Sequence, residues 1–149
     1  MDIFEKVRMR PAQLRTVADR RFEDAKVLLK KKRTNAAMYL AGFAIECLLK
    51  AQLLEQFRWL QSARLPKSSE ETRLWCLCYR WHDLDEILGR LTGIVQRLER
   101  ESKSNRPYAR LRSICGKWTI FARYSPLTAS TDEAREFLGA VEEVRRWLG

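Results

Sequence analysis

The chain has one histidine, His82, so any imidazole chemistry, whether proton transfer or phosphate binding, must run through it. Glu46, Lys50 and Arg123 are the other residues of suitable type. Brought together, the four would make a cleft holding a phosphate or a nucleotide. The same residues also have a structural reading. Asp83 and Glu86 have the spacing of a helix cap, so His82 would start a helix with its ring bonded to a nearby carbonyl or carboxylate. Glu46 precedes Lys50 by four residues, the favourable order for an ion pair within a helix. A partly buried pair of this kind, joined by Arg123, fixes helix packing more reliably than it adds stability. A lone histidine without a neighbouring Arg or second base rarely forms a site, which favours the structural reading of His82. For Glu46, Lys50 and Arg123 the cleft and the packing pair both stay open.

Anion binding is the second candidate chemistry. Lys and Arg number 29 against 19 Asp and Glu, a net charge of +10. Twenty of the cations are Arg, whose planar fork suits phosphate and carboxylate better than Lys does. This balance points to an anionic partner, nucleic acid or nucleotide first, although solubility alone gives the same charge. Between Ser102 and Thr131 there is no acid, while Lys103, Arg106, Arg110, Arg112, Lys117 and Arg123 are all cationic. At helical spacing Arg106, Arg110 and Lys117 share a face, with Tyr108 and Trp118 nearby. That face is the best anion-binding surface in the sequence; a solvated face and a dock for an acidic protein are the alternatives. The run Lys30 to Arg33 reads first as a helix end matched to the dipole and second as a phosphate site.

The four cysteines point to neither a metal nor a disulfide framework. Cys47 lies in an apolar stretch where a thiol behaves as a small hydrophobe. Cys76 and Cys78 are too close for the usual zinc knuckle, with one histidine to help. No metal and no cofactor is expected. The opening MDIFEKVRMR is charged from residue 2, unlike a secretory leader, so a reducing cytoplasm is the expected setting.

Hydrophobic periodicity defines the elements that must position these residues. Ala36 to Leu53, AAMYLAGFAIECLLKAQL, runs ten residues before its first charge. It is too apolar for a helix with one wet side, and it is interrupted where a membrane span would not be. It is expected to be the central helix of a bundle, capped by Thr34 or Asn35 and reaching Phe57 or Leu60. Asn35, Tyr39, Gly42, Glu46 and Lys50 form one polar line along it. Upstream, Ile3, Phe4 and Val7 fit a short amphipathic turn. Pro11 fits the first position of a helix to about Arg33, with Leu14, Ala18, Phe22 and Ala25 inward. Residues 61–81 pass equally as a short helix started by Ser68 and Glu71 or as an extended segment, with Trp75, Tyr79 and Trp81 as lids on the core. One long helix is expected from Asp83 to about Arg100 on Leu84, Ile87, Leu91, Ile94 and Leu98. The next starts around Ser104 to Pro107, carries Tyr108, Leu111, Cys115, Trp118 and Phe121 on one face, and breaks at Arg123 to Pro126. The last opens on Ser130 and Glu133, with Ala134, Phe137, Leu138, Val141, Val144 and Leu148 inward. The expected fold is all-α, one domain over residues 1–149. Its architecture is an up-and-down antiparallel helical bundle of four main helices and a shorter fifth.

Three segments, in this order, resemble the HEPN family, the nucleotide-binding domain named for higher eukaryotes and prokaryotes. Ala44 to Ala51 is similar to that family's A-x-E-x-x-L-K-A core, His82-Asp83-Leu84 to its H-D-L, and Arg123 to Pro126 to its R-Y-P. The resemblance spans about Ala18 to Leu148. It implies a bundle that commonly dimerises, so a homodimer is expected. It also implies work around RNA or nucleotides in defence or toxin–antitoxin systems, with a nucleotidyltransferase-type protein as partner. The HEPN ribonucleases carry Arg, four to six residues, then His. Here that Arg would fall at Trp75, Cys76 or Leu77, and Arg73 and Arg80 lie outside the window on either side. The motif is absent. The resulting expectation is a non-catalytic binding or regulatory module. Arg106, Arg110, Lys117, Arg123 and Lys50 would bind RNA, nucleotide or an acidic partner, and Glu46, Asp83 and Tyr124 would form a structural polar core. The other readings are a ribonuclease using His82 and a homodimeric scaffold without nucleic-acid contact.

Overall fold

Helices form where the apolar period runs longest. The structure, a computed structural model, describes residues 9–101 and 106–149, with the backbone alone at 98, 99 and 119–123. The amphipathic turn expected around Ile3, Phe4 and Val7 lies outside the described residues, as do Lys103 and Ser104. The described residues form seven α-helices and no strand. Four are long: α1 (Pro11–Lys30), α2 (Thr34–Gln56), α6 (Arg106–Tyr124) and α7 (Thr131–Leu148). Three are short: α3 (Ser69–Tyr79), α4 (Leu84–Arg90) and α5 (Thr92–Arg100). A 3-10 turn, Arg58–Gln61, follows α2.

The long helices alternate in direction, as cross-contacts at their ends show. A three-residue turn reverses the chain after α1, and Arg15 at its start pairs with Glu55 at the end of α2, 2.5 Å away. Trp118, late in α6, donates to the carbonyl of Tyr39, early in α2, at 3.1 Å. Arg110, early in α6, pairs with Glu143, late in α7, at 2.8 Å. The architecture is therefore an all-α bundle running up, down, up, down.

α2 is central because it has apolar residues on every side. All eight residues from Ala44 to Ala51 are buried, Glu46 and Lys50 included. By length and composition Thr34–Gln56 is apolar enough to cross a membrane. Here that apolar surface is covered by α1, α4, α6 and α7 instead.

Within residues 61–81, of the two open readings the helix is found, over Ser69–Tyr79, where Ser68 Oγ accepts from Glu71 N at 3.1 Å. The cap is not reciprocal, because the Glu71 carboxylate turns to Arg64 (2.8 Å) and to Lys67 N (2.9 Å). The single long helix expected from Asp83 to Arg100 is two, broken at Leu91. Its cause lies in α2, where the Gln56 side-chain amide donates to Arg90 O (2.6 Å) and accepts from Thr92 N (3.0 Å). One side chain thus satisfies backbone groups left at the end of α4 and the start of α5. Leu84, Ile87, Leu91 and Ile94 are buried all the same. In α7 the core takes Trp147 in place of Leu148, which is half-buried.

Candidate functional site

The polar line of α2 is where the second half of the chain is attached. At its start Thr34 Oγ1 donates to Ala129 O (2.7 Å), and the Asn35 amide donates to Leu127 O (2.8 Å) and accepts from Ala129 N (2.9 Å). These bonds fix the connection between α6 and α7. One turn on, Tyr39 lies 5.5 Å from Trp118, centroid to centroid. Gly42 then leaves room for the indole: a Cβ built there would sit 2.0 Å from Trp118 Nε1.

Farther along, the line becomes ionic. Glu46 is 1% exposed, and its Oε1 meets both Lys50 Nζ (2.9 Å) and His82 Nδ1 (2.5 Å). Lys50 Nζ also donates to the Trp81 carbonyl at 2.9 Å. Because a carboxylate only accepts, Nδ1 carries the hydrogen, and Nε2 is left free on a ring 40% exposed. Glu46 Oε2 is buried with no hydrogen-bond partner. Asp83 caps α4, accepting from Glu86 N at 3.0 Å. The fold therefore brings Glu46, Lys50 and His82 together, while the Arg123 side chain lies outside the described residues.

A carboxylate-oriented imidazole can take a proton at Nε2. Two of the cations that could hold a phosphate beside it, Lys50 and Arg73, are engaged by carboxylates. Lys50, expected to bind nucleotide, is buried and bonded to Glu46 and Trp81 O; it presents no surface to a ligand. Arg73 bonds Glu86 and lies 5.5 Å from the centroid of the Trp81 ring. Arg80 lies over Trp75, at 5.4 Å. Burying two charges costs several kcal/mol per ion before their attraction offsets it. What the pair secures is the Trp81-His82 junction between α3 and α4. Trp81, expected as a core lid, is instead 40% exposed, since α3 has already ended. Trp75 and Tyr79 are half-buried against the bundle.

The cationic face of α6 is partly neutralised. Arg110 and Arg106 both reach Glu143 on α7, at 2.8 and 3.5 Å, an acid far outside the acid-free stretch. Lys117 is exposed and makes no ion pair among the described residues. It borders a groove of about 890 Å³ between α6 and α7, floored by Met38, Ile114, Trp118 and Phe137. Tyr124, expected in the polar core, is 76% exposed, because it is the last residue of α6 and opens onto this groove. Asp83 too is exposed; its role is capping.

A second group of cations lies at the turn between α1 and α2. Lys30, Lys31, Lys32 and Arg33 are all exposed, and none has an ion pair among the described residues. Arg33 N returns to Leu28 O (2.9 Å) and Lys32 N to Leu29 O (3.0 Å), which places Lys32 at φ +59°. The run does close a helix, as expected, but through a left-handed lysine.

The four cysteines are unpaired. Burial pushes the thiols of Cys47, Cys78 and Cys115 up to about 12, so they sit in the core as neutral hydrophobes. Among the described residues no three His, Cys, Asp or Glu side chains gather as a metal would require. No family model, curated protein or solved structure matches this chain.

Sequence reasoning missed the groove and the conformation of the basic turn. The alternating Arg110–Ser113–Ile114–Lys117 and Glu133–Glu136–Phe137–Ala140 spacings were signals for the first. Nothing in the sequence announces the left-handed backbone at Lys32.

Proposed function

We propose that this chain is a non-catalytic binding module of the HEPN type, which holds RNA on the basic turn between α1 and α2. Lys32 carries the reading. In the left-handed region a Lys costs about 1 kcal/mol that a Gly would not. Yet the turn keeps a cation at +59°, in a run of four exposed and unpaired cations. A costly residue that places charge in solvent fits a binding role better than a structural one. The HEPN resemblance draws support from one contact: Glu46 and His82 belong to two of its segments and lie 2.5 Å apart, so each gives the other a reason to be there. In this reading the module works beside a nucleotidyltransferase-type protein or another toxin–antitoxin component.

The test is fluorescence anisotropy with a labelled single-stranded RNA, comparing wild type with a variant in which Lys30, Lys31, Lys32 and Arg33 are all Ser. Affinity falls in the variant, and the slope of log affinity against log salt flattens by about 3 for four lost phosphate contacts. Equal affinity and slope would refute the assignment.

The carboxylate-fixed ring of His82 favours a second reading, a ribonuclease. Glu46, which holds that ring, lies twelve residues beyond Thr34, about 18 Å along the helix at 1.5 Å per residue. RNA seated on the turn would have to extend that far to be cut. Cleavage by wild type that disappears in His82→Ala would favour this reading over binding alone.

A further inference from the structure

The groove between α6 and α7 opens beside the basic turn. Asn35, two residues beyond Arg33, bonds Leu127 O (2.8 Å) and Ala129 N (2.9 Å) in the α6–α7 connection. Met38, one turn farther along α2, already lines the groove, as do Tyr124 and Ser125 at the end of α6. Tyr124 and Leu127 are 76% and 70% exposed there, so an aromatic ring stands at the mouth, where a base can stack. Ile114, Trp118 and Phe137 make an apolar floor, and about 890 Å³ is room for an aromatic ligand.

Two charged side chains of the groove remain uncommitted. Glu133 accepts from Ser130 N at 3.0 Å, and Arg110 pairs with Glu143 at 2.8 Å. Lys117 and Glu136 are exposed and make no ion pair among the described residues. Lys117 is seven residues beyond Arg110, and Glu136 is seven before Glu143. In antiparallel helices both therefore lie about 10 Å farther along, level with each other across the groove. A donor and a double acceptor thus face each other over an apolar floor. Glu136 repels phosphate, so the groove suits a base while the phosphates stay on the turn. Guanine alone has both matching edges. Its N1–H and N2–H groups donate side by side, as the two oxygens of a carboxylate accept, and its O6 and N7 accept from a lysine. Adenine, cytosine and uracil each offer a single donor group, which leaves a carboxylate oxygen unmet.

Resting on the RNA reading above, we infer that the groove is a guanine site. Glu136 accepts from N1 and N2, and Lys117 donates to O6, of one base in the strand held on the turn.

Anisotropy with two labelled oligouridylates, one carrying a single central guanine and the other a single adenine, tests this. Wild type binds the guanine strand about tenfold more tightly. In Glu136→Gln, an exposed substitution whose fold circular dichroism checks, that ratio falls to one or below, because a carboxamide suits adenine instead. The ratio is read because removing a negative charge raises the affinity for every strand alike. Equal affinities in wild type, or a preference that persists in Glu136→Gln, overturn the guanine site and leave RNA on the turn in place. If neither strand binds, the turn assignment falls, and guanosine, which carries no phosphate, decides the groove by NMR titration. Shifts at the Lys117 and Glu136 amides with guanosine but not with adenosine sustain the site; their absence overturns it.

Discussion

At Gly42 the space for a side chain is already filled by the Trp118 indole. Gly42→Ala must push out a tryptophan that is 2% exposed and bonded to Tyr39 O, at an expected loss of about 2–3 kcal/mol. Gly139 in the middle of α7 is the control: nothing lies within 4 Å of a Cβ there, so Gly139→Ala should gain about 0.5–1 kcal/mol. Urea unfolding of the two variants should shift in opposite directions. The buried ions make a second pair of variants. Glu46→Leu strands Lys50, 8% exposed at its side chain, and should cost about 3 kcal/mol or more. Adding Lys50→Met should recover much of that, since an apolar replacement of a whole buried pair is often nearly neutral. A single substitution as mild as the double would mean that the pair does not hold this part of the core.

The short helix α3 buries Leu74, Leu77 and Cys78 and is also held by ionic ties. Arg64 holds the Glu71 carboxyl below the usual carboxylate range, and Arg73 does the same for Glu86. A carboxyl lowered in the folded state adds stability above the unfolded value of about 4.5, and that contribution is lost as pH falls through the lower folded value. Neutral pH therefore keeps both ties, and acid below about pH 4 removes them. Hydrogen exchange should show protection lost in Ser69–Tyr79 before Ala44–Ala51 as the solution is acidified; equal protection of both at low pH would contradict this. At this scale the sequence is a good guide wherever period and cap act locally. Pro11, Ser68, Asp83 and Ser130 mark starts, and Ser130 with Glu133 forms the full reciprocal cap. It fails where a distant residue decides the backbone. Gln56 splits the helix at Leu91, and Glu143 neutralises Arg106 and Arg110; neither partner is near in sequence. Of the candidate site, Glu46 and Lys50 are legible from their spacing. Their third member, His82, is 36 residues away and is brought in by the fold.

Among the described residues, about half of the cations are internally balanced. Arg15, Arg21, Arg64, Arg73, Arg90, Arg97, Arg110, Arg135 and Arg145 each face a carboxylate. The net charge of +10 is therefore a poor map of where an anion would bind. The turn at Lys30 to Arg33 holds four consecutive exposed cations without an ion pair among the described residues, while Arg20, Arg58, Arg80, Arg100, Arg112 and Lys117 are exposed and unpaired singly. The polar line of α2 starts at that turn: its first residues fix the α6–α7 connection beside it, and its last hold His82 near the other end. The most direct measurement of the binding role is Lys32→Gly, read out twice. Relieving the left-handed lysine should raise unfolding free energy by about 0.5–1 kcal/mol, while affinity for single-stranded RNA falls and its salt slope shrinks by about 0.7. A variant that is more stable and binds RNA as tightly as wild type would contradict the account.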